Sequence, residues 1–440
     1  MKLTSRRLAA AAALVTLVSV PGLPGRAMAQ GLDSTERTHM REILHRVQEV
    51  VRGNYYDATF KGIDLKEHFK AVQAKVDAAT SAEMAYALIA QSLIDFDDSH
   101  TYFIPPMRPV KFEYGWEMQM IGDDCFVVAV KPGSDAEVLG LKPGDQLVRL
   151  ERFAPSRRDL WKLQYAYNVL APRPAVRVVA QSPGGQPREL ELKAKVTPGK
   201  RVIQLHLDLE DGGLGDEYRQ PMGSISRAVL LGDIAVWKLG AFAFEPREID
   251  KLFDAVTKGA TSLVIDMRGN PGGYVKTLEQ LASRLLEQDV KLADLKGRRS
   301  MKPIAAKKRK SPFTGKIVAL VDARSASAAE ILSRVLQLES RGTVIGDRSA
   351  GSVMQGIRLG GALEGVEGFI PFEVSVTNAD LVMKDGKSLE HVGVVPDELL
   401  LPTAADLAAG RDPVLARAVT LLGGSLDPAA AGKLFPVEWK

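Results

Sequence analysis

Apolar residues at helical spacing open the patterned part of the chain. They recur every three or four positions from Met40 to Val51, which predicts an amphipathic helix. Thr80 and Glu83 have the spacing of a capping box and predict a second helix that runs to Phe96. A pair of prolines then ends the pattern. We therefore expect residues 30–111 to form an N-terminal helical unit.

The next stretch, from Glu113 to Val196, changes to short apolar runs separated by glycine and proline turns. The runs FVVAV and QLVRL flank the turns Pro132-Gly133-Ser134 and Gly140-Leu141-Lys142-Pro143-Gly144-Asp145. Short runs with such turns are typical of strands. Residues 112–197 are therefore predicted to form an inserted all-β domain.

Strand and helix patterns alternate in the third region. Ser262–Met267 (SLVIDM) reads as a buried strand, followed by a glycine turn and a periodic helix from Tyr274 to Glu287. Ile317–Val321 is a second apolar run, and a helix pattern starts at Ser327. This alternation predicts an α/β core with a parallel or mixed sheet and covering helices over residues 198–405.

The C-terminal part, residues 406–440, is predicted to be a helix and a tail. Asp412 followed by Pro413 is an N-cap with proline at the first helical position, and the helix is expected to run to Leu422.

Ser327 lies where the second strand leads into its helix. A serine hydroxyl in such a place is close to free backbone N–H groups and the positive end of the helix dipole. Nucleophilic serines of acyl transfer occupy such positions, because the charge on the attacked carbonyl oxygen develops there. Ser327 with Glu330 is also a capping box, which needs no chemistry, so both interpretations stay open on this segment alone.

The turn after Met267, Arg268-Gly269-Asn270-Pro271-Gly272-Gly273, ends in two glycines. Glycines at the carboxyl end of a parallel strand let the backbone approach a ligand with its N–H groups exposed. A plain strand–helix turn is the alternative. Together with Ser327, however, this turn makes a plausible acyl-transfer site.

Several motifs in order resemble a known family. They are LVIDMRGNPGG, SASAAEI, TVIGDRSAG and LEHVGVVPDELL, with Asp98-Ser99-His100-Thr101 upstream. This series resembles the C-terminal processing (tail-specific) serine peptidases and their tricorn-like relatives. The resemblance spans nearly the whole chain after its N-terminal segment.

The resemblance implies roles for individual residues. Ser327 would be the nucleophile, and the N–H groups of Gly272 or Gly273 and of Ala328 would form the oxyanion hole. Residues 112–197 would be a PDZ-like domain, whose carboxylate-binding loop would be Tyr114-Gly115-Trp116-Glu117. Such a domain binds a peptide as an added strand and holds its C-terminus.

One position departs from the family. The processing peptidases usually carry a catalytic lysine 25 residues after the nucleophile, but Ser352 stands there. A serine hydroxyl cannot accept the proton at neutral pH. Either another residue is the base, or the protein is a catalytically inactive peptide-binding or scaffold protein of the same fold.

The tricorn-like relatives suggest a replacement for the lysine. In them a histidine just after a serine is the base and a glutamate orients it; the matching residues are His100, Ser99 and Glu390. An unperturbed imidazole base predicts that kcat/KM rises with pH through a limb near 6.5. Glu390 could also be an ordinary loop carboxylate, and His391 is a rival for the catalytic role.

The N-terminus has the composition of a secretory signal peptide. Basic residues precede an apolar stretch from Leu8 to Val20, and Ala27-Met28-Ala29 predicts cleavage after Ala29. Residues 1–29 therefore predict export to the periplasm or secretion; Arg6-Arg7 leaves a twin-arginine signal as an alternative to the general route. Four of the 58 basic residues lie in this segment, which leaves 54 basic against 54 acidic residues. A balanced charge gives no reason to expect nucleic-acid binding.

Other classes of activity find no support in the sequence. It has no HExxH motif, its six histidines are scattered, and the only cysteine is Cys125, so a zinc peptidase is not expected. It also lacks the GxSxG elbow of lipase-like hydrolases. The sequence thus predicts an exported serine endopeptidase that acts on polypeptides, selects them through their C-terminal ends, needs no cofactor and has no stable membrane span. It leaves the oligomeric state open.

Overall fold

The computed structural model describes residues 32–198, 225–365 and 368–439. The predicted signal peptide at 1–29 lies outside these ranges. The helices, numbered in chain order, are α1 (Ser34–Asn54), α2 (Leu65–Asp77), α3 (Ala82–Ile94), α4 (Asp135–Val138), α5 (Leu160–Tyr165), α6 (Pro246–Val256), α7 (Val275–Leu285), α8 (Ala328–Leu338), α9 (Ala404–Ala408), α10 (Pro413–Leu421) and α11 (Pro428–Ala431). A 3₁₀ turn (Phe60–Gly62) and a π-helical turn (Ala166–Leu170) complete them. No helix in the described ranges combines the length and the apolar character that crossing a membrane requires.

The strands, also numbered in chain order, fall into four sheets. They are β1 (Tyr102–Ile104), β2 (Val110–Glu113), β3 (Trp116–Ile121), β4 (Asp124–Val130), β5 (Gln146–Leu150), β6 (Ala175–Gln181), β7 (Arg188–Lys193), β8 (Lys195–Pro198), β9 (Ser226–Leu231), β10 (Ile234–Leu239), β11 (Ser262–Asp266), β12 (Val290–Lys296), β13 (Ile304–Ala306), β14 (Lys316–Val321), β15 (Thr343–Gly346), β16 (Met354–Gly365), β17 (Gly368–Val382) and β18 (Glu398–Leu399).

The central sheet has six strands in the order β18-β15-β14-β11-β10-β9. Strands β10, β11, β14, β15 and β18 run parallel, and β9 is an antiparallel edge strand. The predicted mixed sheet with covering helices is therefore present. Because parallel strands end at the same edge, the turns after β11 and β14 lie next to each other.

Both faces of this sheet are covered, as its continuous apolar strands require. On one face Trp237, Ile265 and Ala319 pack with apolar residues of α6, α7 and α8. On the other face Val264 and Leu320 pack with α10. The helices that carry the candidate site are thus fixed on a buried sheet.

A second, antiparallel sheet joins the N-terminal unit to the core. Its order is β1-β17-β12-β13, with β16 paired to β17. β1 follows α3 and pairs with β17 in the register Tyr102↔Ser375. The predicted helical region contains three α-helices, and the third is capped by Ser81, which accepts a hydrogen bond from the Met84 N–H. The prediction that Thr80 is the cap was therefore wrong by one residue.

The region between β2 and β8 is a five-stranded antiparallel sheet in the order β3-β4-β5-β6-β7. It is not all-β as predicted, because α5 and the π-helical turn form a continuous helical segment from Leu160 to Leu170. Leu160, Leu163 and Tyr167 on this segment are buried against the sheet. Their helical spacing was the signal that the sequence interpretation missed.

Candidate active site

Ser327 occupies the turn between β14 and α8, at the carboxyl edge of the central sheet. Its backbone has φ 55° and ψ −117°, and it is the N-cap of α8. A side chain with positive φ costs energy unless its surroundings hold it. Such strain at a strand-to-helix turn is the conformation that exposes a nucleophilic hydroxyl in other hydrolases.

The glycine turn after β11 is bonded directly to the turn that carries Ser327. The Ala326 N–H donates to the Asn270 carbonyl at 2.9 Å. Gly272 has φ +93°, and a Cβ there would lie 2.6 Å from the Ser327 Cβ and 2.9 Å from the Ala326 carbonyl oxygen. Only glycine fits this position, since any side chain would push the serine turn away.

The N–H groups of this turn have different partners. The Gly272 N–H donates to the Asn270 side-chain oxygen at 2.8 Å, so it is already engaged and does not fit the predicted role in an oxyanion hole. The N–H groups of Gly273 and Ala328 have no hydrogen-bond partner among the described residues. Gly272 therefore provides space beside Ser327, and Gly273 and Ala328 remain as the candidate donors.

A buried ion network anchors the start of this turn. Arg268 binds Asp266 and Asp412, with Nη2 at 2.7 Å from an oxygen of each. Lys238 donates to Asp266 at 3.2 Å and to the Arg268 carbonyl at 2.7 Å. Burial acts against the charge of Asp266, but Arg268 and Lys238 together hold the pKa of this carboxyl well below its usual range. Asp412 is also the N-cap of α10, so the network ties the turn to that helix.

His100, Ser99 and Glu390 form a chain of hydrogen bonds. The His100 Nδ1 lies 2.8 Å from the Ser99 Oγ, and that hydroxyl donates to Glu390 Oε2 at 2.9 Å. Glu390 also accepts from the Ser99 N–H at 2.8 Å. The structure thus brings the three predicted residues together, but Glu390 reaches the imidazole through Ser99 and not directly. We refer to Ser99, His100 and Glu390 as the relay.

This arrangement decides which imidazole nitrogen is free. A hydroxyl has one proton, and here it donates to the Glu390 carboxylate. The Ser99 Oγ must then accept from a protonated Nδ1 of His100. Nε2 is therefore the unprotonated nitrogen of the neutral ring, which is the atom that a general base uses.

The surroundings of His100 keep it neutral. Burial lowers the pKa of the imidazole to about 4, opposed by the nearby Asp98 and reinforced by Arg358. Asp98 also accepts from the His100 N–H at 3.2 Å and from the Thr377 hydroxyl at 2.6 Å. The segment that carries the histidine is therefore fixed to β17.

Ser352, in the lysine position, lies beside the turn that carries Ser327. Its carbonyl accepts from the Ser327 N–H at 2.9 Å. The next residue, Val353, donates its N–H to Glu390 Oε2 at 2.8 Å. Ser352 thus takes part through its backbone. No hydrogen bond joins the side chains of Ser327 and His100 in the described part of the chain.

His391, the rival histidine, is exposed and borders the relay at its carboxylate. Its Nε2 lies 2.9 Å from the Asp97 carbonyl oxygen and 3.7 Å from Glu390 Oε1. It therefore contacts the relay through Glu390.

The predicted loop at Tyr114–Glu117 borders a cavity of about 230 Å³. Its lining includes residues of β3, residues of the helical segment at 160–170 and Arg324, which lies in the turn before Ser327. Arg324 binds Glu117 at 3.0 Å. Among the described strands β3 pairs only with β4 in its sheet, so its outer edge faces this cavity.

Sequence reasoning missed several residues that hold the site. Asp322 accepts from the Gly269 N–H and from Gln119 Nε2, both at 2.9 Å, and so connects the glycine turn with β3. Glu330 was interpreted only as half of a capping box, but it is fully buried. The spacing in sequence gave no signal for either contact, because the partners come from distant segments.

Comparison with known proteins agrees with this geometry. Residues 233–400 match the model of Peptidase family S41. The chain is similar to a chloroplastic C-terminal processing peptidase of Tetradesmus obliquus, 26% identical over 368 residues that cover 79% of this chain and 74% of the relative. A tricorn protease homolog of Streptomyces coelicolor is 32% identical over 165 residues, 36% of this chain and 13% of that protein. Among solved structures, mature CPAF has a TM-score of 0.61 at 16% identity, covering 84% of this chain and 94% of CPAF, which shows the shared fold.

Proposed function

We propose that this chain, whose residues 233–400 match Peptidase family S41 and which is similar to the C-terminal processing proteases, is an exported serine endopeptidase in which Ser327 is the nucleophile and His100 the base. The hydrogen-bonded relay of Glu390, Ser99 and His100 carries this proposal. It supplies a proton acceptor of the kind that Ser352, in the lysine position, cannot provide.

The proposed reaction proceeds through an acyl-enzyme. Ser327 Oγ attacks the peptide carbonyl carbon while its proton passes to His100 Nε2. The oxyanion is held by the N–H groups of Gly273 and Ala328. The C–N bond then breaks, and the leaving amine takes the proton from His100. Water repeats the sequence on the ester and releases the acid, with no cofactor involved.

Ser99 and Glu390 act on the base in this scheme. Glu390 holds the Ser99 hydroxyl, which fixes Nδ1 as the protonated nitrogen and directs Nε2 outward. Burial raises the pKa of Glu390, while the Val353 N–H, the nearby His391 and the Ser99 N–H favour its charged form. The carboxylate also offsets the positive charge that forms on the ring during the reaction.

A fluorophosphonate probe tests the proposal against an inactive protein of the same fold. We expect covalent labelling of the purified protein, with the adduct found by mass spectrometry on the peptide that contains Ser327. Heat-denatured protein is the control, because only an activated serine reacts. A folded protein that takes up no label, or takes it up on another serine, would contradict the proposal.

We further propose that residues 112–197 are a PDZ-like domain that selects substrates by their C-terminal ends. The support is the exposed edge of β3, the helix opposite it and the cavity between them. A peptide added to β3 would place its carboxylate near the Tyr114–Glu117 loop, where backbone N–H groups can bind it. Arg324, which lines the cavity and is paired with Glu117, would add a charged donor for that carboxylate.

This selection predicts a difference between acid and amide peptides. Amidation of the C-terminus of a cleaved peptide should raise KM by roughly tenfold, because the charge-assisted hydrogen bonds to the carboxylate are lost. The measurement compares kcat and KM for matched peptides that differ only in this group. Equal KM values for the acid and amide forms of several peptides would show that the domain does not select substrates by their C-terminal carboxylate.

The remaining parts of the proposal concern organisation and export. We assign residues 30–111 to an N-terminal helical unit, 198–405 to the peptidase core and 406–440 to a C-terminal helix and tail. The basic and apolar composition of residues 1–29 supports export to the periplasm or the medium. Sequencing the N-terminus of the exported protein would test cleavage after Ala29.

A further inference from the structure

Glu330 is a buried carboxylate that accepts four hydrogen bonds. It is fully buried on α8. Oε2 accepts from the N–H groups of Ser327 and Ser352, both at 3.0 Å. Oε1 accepts from the Gly351 N–H at 2.8 Å and the Ser349 hydroxyl at 2.5 Å. Every partner donates, so the ionised carboxylate matches all four.

A capping box accounts for only one of these bonds. In a capping box the glutamate accepts from the N-cap N–H, which is the bond from Ser327. The other three donors belong to the segment 349–352, which follows β15. Burial of a carboxylate is costly unless its hydrogen bonds are satisfied, so a cap alone does not explain this environment.

The segment 349–353 has a second attachment on its other side. Val353 donates to Glu390 Oε2 at 2.8 Å, and the His391 N–H donates to the Gly351 carbonyl at 2.8 Å. The Ser327 N–H donates to the Ser352 carbonyl at 2.9 Å. The segment therefore touches the nucleophile turn and the relay at once, and Glu330 is the group that holds it against α8.

We propose that Glu330 is a positioning residue that fixes the segment 349–353 between the nucleophile turn and the relay, and thereby sets Ser327 against His100. This inference rests on the proposed function of the site. Glu330 does not touch the substrate; it acts through the backbone of Ser352 and Val353, at the place where lysine-dependent relatives carry their base. Its loss should affect the chemical step more than substrate binding.

The ionisation of Glu330 supplies an additional readout. Burial raises the pKa of this carboxyl to about 7, against hydrogen bonds from Ser349, Ser352, Gly351 and Ser327 that lower it. As pH falls through that value the carboxylate gains a proton and cannot accept all four bonds, so activity should fall. Three charged groups on neighbouring elements are paired away from Glu330: Arg334 with Asp385, Asp347 with Arg157 and Arg348 with Asp123. Glu390 faces the segment from its other side, where it accepts from the Val353 N–H and lies 3.7 Å from His391 Nε2.

Glu330→Gln is the direct test. The amide keeps the size of the side chain but turns its NH₂ toward N–H donors. We expect fluorophosphonate labelling of Ser327 to slow by roughly 100-fold, the cost of a small misplacement of reacting groups. For a cleaved peptide, kcat should fall by a similar factor while KM changes little. The parent's fall in kcat/KM on the acid side of pH 7 should be absent in Glu330→Gln, whose profile should be flat between pH 5 and 9.

Two further variants keep the test decisive. Ser349→Ala removes one hydrogen-bond donor to Glu330. It should lower the labelling rate and kcat less than Glu330→Gln does, and it should keep the acid limb near pH 7. This variant replaces Glu330→Gln in the test if that protein does not fold. Ser333→Ala is the matched control, because its hydroxyl is buried on the same helix and, among the described residues, bonds only to the Ala329 carbonyl, at 2.7 Å. It should react like the parent.

The outcomes separate this inference from the proposed function. A parent protein that is never labelled on Ser327 would overturn the proposed function and the inference with it. A labelled parent with Glu330→Gln reacting at the same rate, or keeping the limb near pH 7, would overturn the inference alone. The limb would then belong to another group.

Discussion

Ser327→Ala should lose proteolysis by a factor on the order of 10⁴ or more, while the fold persists. The substitution removes only the hydroxyl group, and no acyl-enzyme can form without it. The Ser327 side chain makes no cap hydrogen bond to α8, so the free energy of unfolding should fall by no more than the ~1 kcal/mol that a capping hydroxyl contributes, which leaves a folded protein. The measurement is cleavage of casein or of an unfolded test protein, with circular dichroism as the check on folding. Cleavage at the parental rate would show that another residue is the nucleophile.

Ser327→Gly sharpens this test. The backbone of Ser327 has φ 55°, and glycine adopts such a conformation without the strain of a side chain. The glycine variant should also be inactive but at least as stable to denaturant as Ser327→Ala, since relief of strain is worth about 1–3 kcal/mol. Ser333→Ala on the same helix should retain both activity and stability. A glycine variant markedly less stable than the alanine variant would show that the turn is not strained.

The central sheet could be predicted from the sequence because its signal is local. Strands Ser262–Asp266 and Lys316–Val321 are mainly apolar. Each is a strand of the parallel part of the sheet, and each is followed by a helix. Their shared direction alone brings the Gly272 turn close to Ser327. Resemblance to a family added the roles of Ser99, His100 and Glu390, which lie up to 291 positions apart.

The rest of the site could not be predicted because it depends on contacts between distant segments. The spacing of Ser327 and Glu330 predicts a cap, but nothing local indicates that Ser349, Gly351 and Ser352 donate to the same carboxylate. The candidate oxyanion hole shows the same limit. Gly272 and Gly273 are neighbours in sequence, and only the position of the Asn270 side chain reveals that the first N–H is engaged.

The second large effect concerns the base: His100→Ala should reduce kcat/KM on the order of 10³-fold or more. The variant removes the imidazole that, in the proposed reaction, accepts the proton from Ser327. Ser99→Ala and Glu390→Gln should give smaller losses, because they leave the imidazole in place but no longer fix its tautomer. If Glu390 acted independently of His100, its substitution would lower activity further in a His100→Ala background; we expect no further loss.

The pH profile of kcat/KM distinguishes a histidine base from a lysine base by the pH at which activity rises. Burial lowers the pKa of His100 to about 4, so the imidazole is neutral at every pH above that, and the limb near 6.5 expected of an unperturbed histidine moves down. A histidine base therefore adds no limb between pH 5 and 9, whereas a lysine base would require one where an amine with a depressed pKa loses its proton. In Glu330→Gln, which removes the carboxyl that titrates near 7, the profile should be flat across this range.

Ser352→Lys in the His100→Ala background is the companion experiment. The Ser352 backbone is bonded to the Ser327 N–H at 2.9 Å, so an amine introduced at this position starts beside the nucleophile turn. Partial recovery of activity, with a new limb at higher pH, would show that the site accepts either base and that His100 supplies it in this chain. A His100→Ala protein that is active without any lysine at 352, with an unchanged pH profile, would contradict the assignment of the base.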